Sequence, residues 1–226
     1  MRSFNPKNAT KVFGIRGLFW VVLLLACSRE DPQPRPYGYA KAVLPERAWG
    51  TWSGKWIPAA FEFNAAACSP LIVPQENKDG STRGEGQDAS RWLNLVYADL
   101  GATLHLSYHP VRSVSYSDGR RAATQDALAI LMSETQRMTF KHALKASAIQ
   151  EYPLSDSLRK VFGMLYTVQG NAASQTQFYA TDSVRHYLRG SLYFTSTPNS
   201  DSLAPYTAYL LQDLQHLLAS LRWVGP

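Results

Sequence analysis

Apolar and polar residues alternate along Ala102-Thr103-Leu104-His105-Leu106-Ser107-Tyr108, the two-residue period of a strand with one buried face. Leu104, Leu106 and Tyr108 point one way and Thr103, His105 and Ser107 the other. Just upstream, Trp92 to Tyr97 is strand-like and joins this run through Ala98-Asp99-Leu100-Gly101. Ala60-Phe61-Glu62-Phe63 predicts a short strand with its two aromatics together. Residues 161–194 predict three consecutive strands. Val161 to Gln169 ends at the turn dipeptide Gly170-Asn171, Ser174 to Thr181 ends at Asp182-Ser183, and Tyr187 to Phe194 follows. In the first of these, Phe162, Met164, Tyr166 and Val168 face one side and Val161 and Leu165 the other. Both sides are apolar, so both require cover.

Two helices supply that cover. From Thr124 to about Leu144, Leu128, Leu131, Met132, Thr135 and Met138 recur at three- and four-residue steps. Thr124 is the candidate N-cap, Asp126 suits the first turn, and Lys141, His142 and Lys145 suit the negative end of the helix dipole. A second stripe of Tyr206, Leu210, Leu214, Leu217 and Leu221, flanked by Leu211 and Leu218, predicts a helix from about Asp201 to Arg222-Trp223, with Pro205 in its first turn. Polar, Gly-rich stretches at 74–90 and 112–121 read as loops. The order of strands, helix, meander and terminal helix predicts an α+β fold with a central antiparallel sheet between helices. That order resembles the Mog1/PsbP-like αβα sandwich.

The amino terminus follows a different logic. Residues 1–16 are cationic, and Gly17 to Ala26 is an apolar run of about 15 Å as a helix, half a bilayer's hydrocarbon core. This is the anatomy of a signal peptide. Leu24-Leu25-Ala26-Cys27 resembles a bacterial lipobox. The resemblance implies cleavage before Cys27, diacylglycerol on its thiol and an acyl chain on its new amine. No other cofactor is expected. Residues 27–36 then form a lipidated, Pro-rich tether, and 37–226 a single α+β domain. Ser28 in place of the aspartate of inner-membrane retention favours the outer membrane, by analogy, with the domain on its periplasmic or surface side.

Composition changes the picture mainly by exclusion. The formal charge of +6 includes Arg2, Lys7, Lys11 and Arg16 of the signal segment, and the remainder carries only +2. Nucleic acid is not an expected partner. With Cys27 anchored, Cys68 has no internal disulfide partner. After Ala65-Ala66-Ala67 it reads as a small buried hydrophobe, with an intermolecular bridge or reactive thiol as the alternative. His105 and His109 stand about 13 Å apart along a strand, and the five histidines form no metal-ligand spacing. Gly50-Thr51-Trp52-Ser53-Gly54 misses the nucleophile-elbow pattern by one position. Ser157-Leu158-Arg159-Lys160 matches Ser-x-x-Lys without companion motifs. Asp182, His186 and Arg189 admit a polarised His–Asp pair, but turn chemistry accounts for them more simply. No catalytic residue and no metal site is assigned.

The remaining polar signal lies in Gly170 to Tyr179 and in Thr197 to Ser202. Amides and hydroxyls there alternate with aromatics around turns. Asn171, Gln175, Gln177, Tyr179, Asp182, Arg189, Asn199 and Asp201 form the candidate partner-binding surface. For Thr197 to Ser202 the alternative is helix capping.

Several segments are similar to those of the gliding-motility lipoprotein GldD family. They are Arg35-Pro36-Tyr37-Gly38-Tyr39 with Leu44-Pro45, Ala102 through Val111, Lys141-His142 with Lys145-Ala146, Gly170 to Ser174 through Thr181-Asp182-Ser183, Leu188 to Phe194, and Pro198 to Pro205. The resemblance implies an envelope lipoprotein needed for gliding over surfaces and linked to the type IX secretion apparatus. It implies an accessory or assembly role, with other gliding or secretion components and the membrane as partners, and no known catalytic residues. A rival reading is an envelope glycan- or peptidoglycan-binding module or hydrolase, suggested by the face around Gln175, Gln177 and Tyr179.

Overall fold

A computed structural model describes residues 43–54, 57–73, 92–111, 124–141, 146–196 and 199–224. Cys27, the tether and the loops expected at 74–90 and 112–121 lie outside the described residues, as do His142 and Lys145. In chain order the elements are β1 (Trp49–Ser53), β2 (Ala59–Asn64), β3 (Ser69–Ile72), β4 (Trp92–Tyr97), β5 (Ala102–Pro110), α1 (Thr124–Lys141), β6 (Ala146–Asp156), β7 (Val161–Gly170), β8 (Thr176–Thr181), β9 (His186–Phe194), α2 (Ser200–Ser220) and β10 (Arg222–Trp223).

The expected class holds: an α+β fold with an antiparallel sheet between helices. The large sheet has the order β3-β4-β5-β9-β8-β7-β6, and the meander β7-β8-β9 lies where the turn dipeptides put it. Gly170 (φ 96°) and Ser183 (φ 68°) take up left-handed backbone at those two turns. Alternation sorts the side chains as expected. Leu93, Leu95, Leu104, Leu106, Phe178, Leu188 and Leu192 form one face and are fully or almost fully buried. They pack in a single core with Tyr209, Leu210, Leu214, Leu217 and Leu218 of α2 and with Phe61 of β2. On the opposite face Tyr166, Tyr179 and Tyr187 pack under Ala127, Leu128, Leu131 and Met132 of α1. Gly190 is required by close approach: a Cβ there would meet the Phe178 ring at 2.1 Å.

Several elements differ from the sequence expectation, which includes neither β1 nor β3. Residues 146–156 form an eleven-residue edge strand whose side chains are mostly exposed, so no apolar period announces it. The second helix ends at Ser220 instead of running to Trp223. Arg222 and Trp223 leave it to pair with Ala60 and Ala59, completing a second sheet of order β1-β2-β10. Pro205 sits inside α2, past the first turn, because the helix begins at Ser200.

A buried polar network locks the small sheet to α2. Asp213 interrupts the apolar stripe and is only 2% exposed. Its carboxylate accepts from Arg47 Nε at 2.7 Å and from Asn64 Nδ2 at 3.0 Å. Asn64 Nδ2 also donates to the Tyr209 hydroxyl (2.7 Å), which donates to the Pro45 carbonyl (2.9 Å). The Arg47 guanidinium lies 4.2 Å from the centre of the Tyr209 ring. A buried carboxylate is tolerated only when paired and hydrogen-bonded. Replacing Arg47 by Met should therefore destabilise the fold by an amount near the low end of about 3–5 kcal/mol, since the guanidinium keeps some solvent contact. Arg47→Met/Asp213→Leu should recover much of that loss in urea unfolding. Equal stability of Arg47→Met and the native chain would show that the pair does not hold the sheet.

Candidate functional site

The eight residues of the candidate surface do not form one surface. The structure divides them among three places. Asn171, Gln175, Asn199 and Asp201 gather where the β7–β8 turn meets the start of α2. Asn199 is the N-cap, its side-chain oxygen accepting from the amides of Asp201 and Ser202 at 3.2 and 3.4 Å. Asn171 accepts from the amide of Ser200 at 2.9 Å, so two asparagines from distant segments satisfy one helix start. Thr207 of α2 donates to the Gln175 side-chain carbonyl. Asp201 adds negative charge in the first turn, where the dipole favours it.

Asp182 stands alone at the β8–β9 turn. Its Oδ1 accepts from the amides of Val184, Arg185 and His186 at 3.0, 2.7 and 2.8 Å. Burial opposes its charge, but these three amides and the neighbouring His186 outweigh that and hold the carboxyl below its ordinary pKa. His186 is not aimed at Asp182 for catalysis. Its Nδ1 lies 2.8 Å from the Tyr108 hydroxyl and its ring stacks on Trp223 at 5.1 Å. Burial lowers its pKa, with Asp182 pulling the other way. The turn account of Asp182 is thus the structural one.

Gln177, Tyr179 and Arg189 share the sheet face beneath and beside α1. Gln177 is fully buried, and Tyr179 stacks on Tyr187 with centroids 5.5 Å apart. Gln175 is buried as well. These three side chains are therefore not open to solvent, and the reading of them as an exposed recognition face is corrected. The alternation that predicted the strand was right, but α1 covers Gln177 and Tyr179, and Gln175 is held against Thr207 of α2. Gln177 Oε1 accepts from Arg189 Nη2 at 3.2 Å and lies 3.3 Å from the Thr139 hydroxyl. The Tyr187 hydroxyl donates to the Leu131 carbonyl at 3.1 Å and lies 2.7 Å from Thr135 Oγ1.

Beyond α1 the same face opens into a groove of about 330 Å³ over β4, β5 and β9. Register explains its lining. Asn94, His105 and Ser191 lie in one cross-strand row, and Trp92, Ser107 and Arg189 in the next. The polar half of the 102–108 alternation pointed to His105 and Ser107, but their partners from β9 and β4 follow only from strand pairing. His105 Nδ1 lies 2.8 Å from Asn94 Oδ1, its ring meets Tyr193 edge-on at 5.7 Å, and burial lowers its pKa. Cys68 is buried near Tyr97, and burial pushes its thiol up to about 11, which leaves it an inert core residue. Among the described residues no three metal-ligating side chains converge, and no helix is long and apolar enough to cross a membrane.

Two stability tests follow from these contacts. Asp182→Ala should cost about 1–2 kcal/mol by leaving three amides to water. The native carboxylate's contribution should be present above the ordinary value near 3.9 and fade as pH falls through its lowered pKa. His105 and His186, both held below the ordinary 6.5, should make the urea midpoint decline as pH falls below about 6.5, because the unfolded chain takes up the protons first. His186→Phe should flatten that decline; an unchanged slope would contradict the burial account.

Comparison with known proteins gives the chain its relatives. No curated protein matches it. Among solved structures it is similar to cyanobacterial PsbP (CyanoP) from Synechocystis sp. PCC 6803, at 8% identity and a TM-score of 0.41 over 81% of this chain and 97% of that one. The family described as "Gliding motility lipoprotein GldD" matches residues 29–223, nearly the whole chain after the signal segment, and the chain belongs to that family.

Proposed function

We propose that this protein is a non-enzymatic, lipid-anchored docking domain of the outer membrane that assists assembly or stability of the gliding and type IX secretion machinery. Membership of the GldD family is the observation that carries the reading. A gliding motility lipoprotein acts at the envelope, and Cys27 after a short apolar run is the residue suited to the lipid. One acyl chain holds a protein only marginally and several hold it stably, so a triacylated Cys27 is a durable anchor.

The polar clusters agree with contact in place of turnover. Asp182 has its charge committed to three amides, and His186 is committed to Tyr108 and Trp223. Ser157 lies in the turn between β6 and β7. Asn171, Asn199 and Asp201 are exposed around the start of α2 and supply the accessible part of the candidate docking surface.

Cys27→Ala should move the protein from the membrane fraction to the soluble envelope fraction and abolish colony spreading. Substituting Asp182, His186 or Ser157 singly, at normal protein abundance, should leave spreading intact. Loss of spreading from one of those three at normal abundance, or full spreading with Cys27→Ala, would contradict the proposal.

A further inference from the structure

Beneath the lining of the groove over β4, β5 and β9 lie buried donors with no partner among the described residues. Ser191 is 2% exposed and lines the groove, yet its hydroxyl has no hydrogen-bond partner among the described residues. The same holds for Nε of the adjacent Arg189. Arg189 Nη2 is held by the neutral side-chain carbonyl of Gln177, and no carboxylate pairs with this guanidinium among the described residues. Buried donors are nearly always satisfied in native proteins, so unpartnered ones lining a cavity point to a missing acceptor. A second groove of similar size, between β6 and α2, lacks this feature: its Arg159 and Asp156 satisfy each other at 2.7 Å.

The rest of the lining narrows the acceptor. With Asn94 Oδ1 taking the Nδ1 proton, His105 presents Nε2 as an acceptor. Ser107 adds a hydroxyl, and Trp92 and Tyr193 add aromatic rings to the lining. One cation, two serine hydroxyls, the imidazoles of His105 and His109, the Asn94 amide and an aromatic wall match a small molecule that carries both a carboxylate and several hydroxyls. A peptide is the poorer match. β4, β5 and β9 are each paired on both sides, so no main-chain edge is offered to an extended chain. The volume, about 330 Å³, stands at the small end of ligand pockets.

We infer that this groove binds a carboxylated sugar unit, with the carboxylate toward Arg189 and Ser191, ring hydroxyls toward His105 and Ser107, and the sugar face against Tyr193. The site is independent of the docking role, and failure of either leaves the other standing.

The test titrates the intact protein, purified in detergent, with disaccharides ending in glucuronate, galacturonate or N-acetylmuramate, each beside its neutral counterpart. Calorimetry reads the affinity. At least one acidic sugar should bind about tenfold or more tightly than its neutral counterpart. Arg189→Gln should erase that preference, and Tyr193→Ala should weaken both forms. Should Arg189→Gln fail to fold, Ser191→Ala, which removes one atom, decides: it should weaken the acidic sugar selectively. Silence across the whole set would overturn the inference. So would equal affinity for acidic and neutral forms, full binding by Ser191→Ala, or a short acidic peptide that displaces the sugar at lower concentration.

Discussion

The contact between the large sheet's apolar face and α2 is the interaction on which the other features depend. Leu210, Leu214 and Leu217 meet leucines from β4, β5 and β9 in one continuous core. Burying such side chains contributes about 1.5–3 kcal/mol each, so this layer dominates the favourable side of folding. It also fixes where everything else goes. Because α2 lies between the large sheet and β2, its buried Asp213 can meet Arg47 and Asn64. Because α2 starts beside the β7–β8 turn, Asn171 can cap it. Because α2 ends next to β2, the chain leaves the helix as a strand, and Trp223 comes to rest on His186.

The opposite face is treated unequally, and that asymmetry generates the site. α1 covers the tyrosine-rich part over β7, β8 and β9. Over β4 and β5 the face turns polar, with Asn94, His105 and Ser107. Arg189 and Ser191 sit at the boundary between the two halves; Arg189 Nη2 is held by Gln177, while Arg189 Nε and the Ser191 hydroxyl have no partner among the described residues.

Much of this was legible in the sequence because water enforces it. Strict alternation from Ala102 to Tyr108, both-sided apolarity after Val161 and the leucine stripe after Tyr206 each record a burial requirement. Strand β6 was not legible, since an exposed edge strand has no apolar period to reveal it. Asp213 was hidden for a related reason: one carboxylate in an apolar stripe looks like a solvent-facing residue until its partners 149 and 166 positions away are known. Gln175, Gln177 and Tyr179 looked like a surface because alternation assigns a side chain to a face without saying what lies over that face. The family resemblance was readable from short local motifs, which need no tertiary information.

A lipid-anchored body that works by contact should be found touching its partners in living cells. The most direct measurement is crosslinking in intact gliding cells through photoreactive residues placed at Asn171 and Asp201, followed by mass-spectrometric identification of what is attached. The account predicts a short, reproducible set of gliding or type IX secretion proteins, absent when the same label is carried by an unrelated lipidated domain. Recovery of the same bulk envelope proteins from both would contradict it.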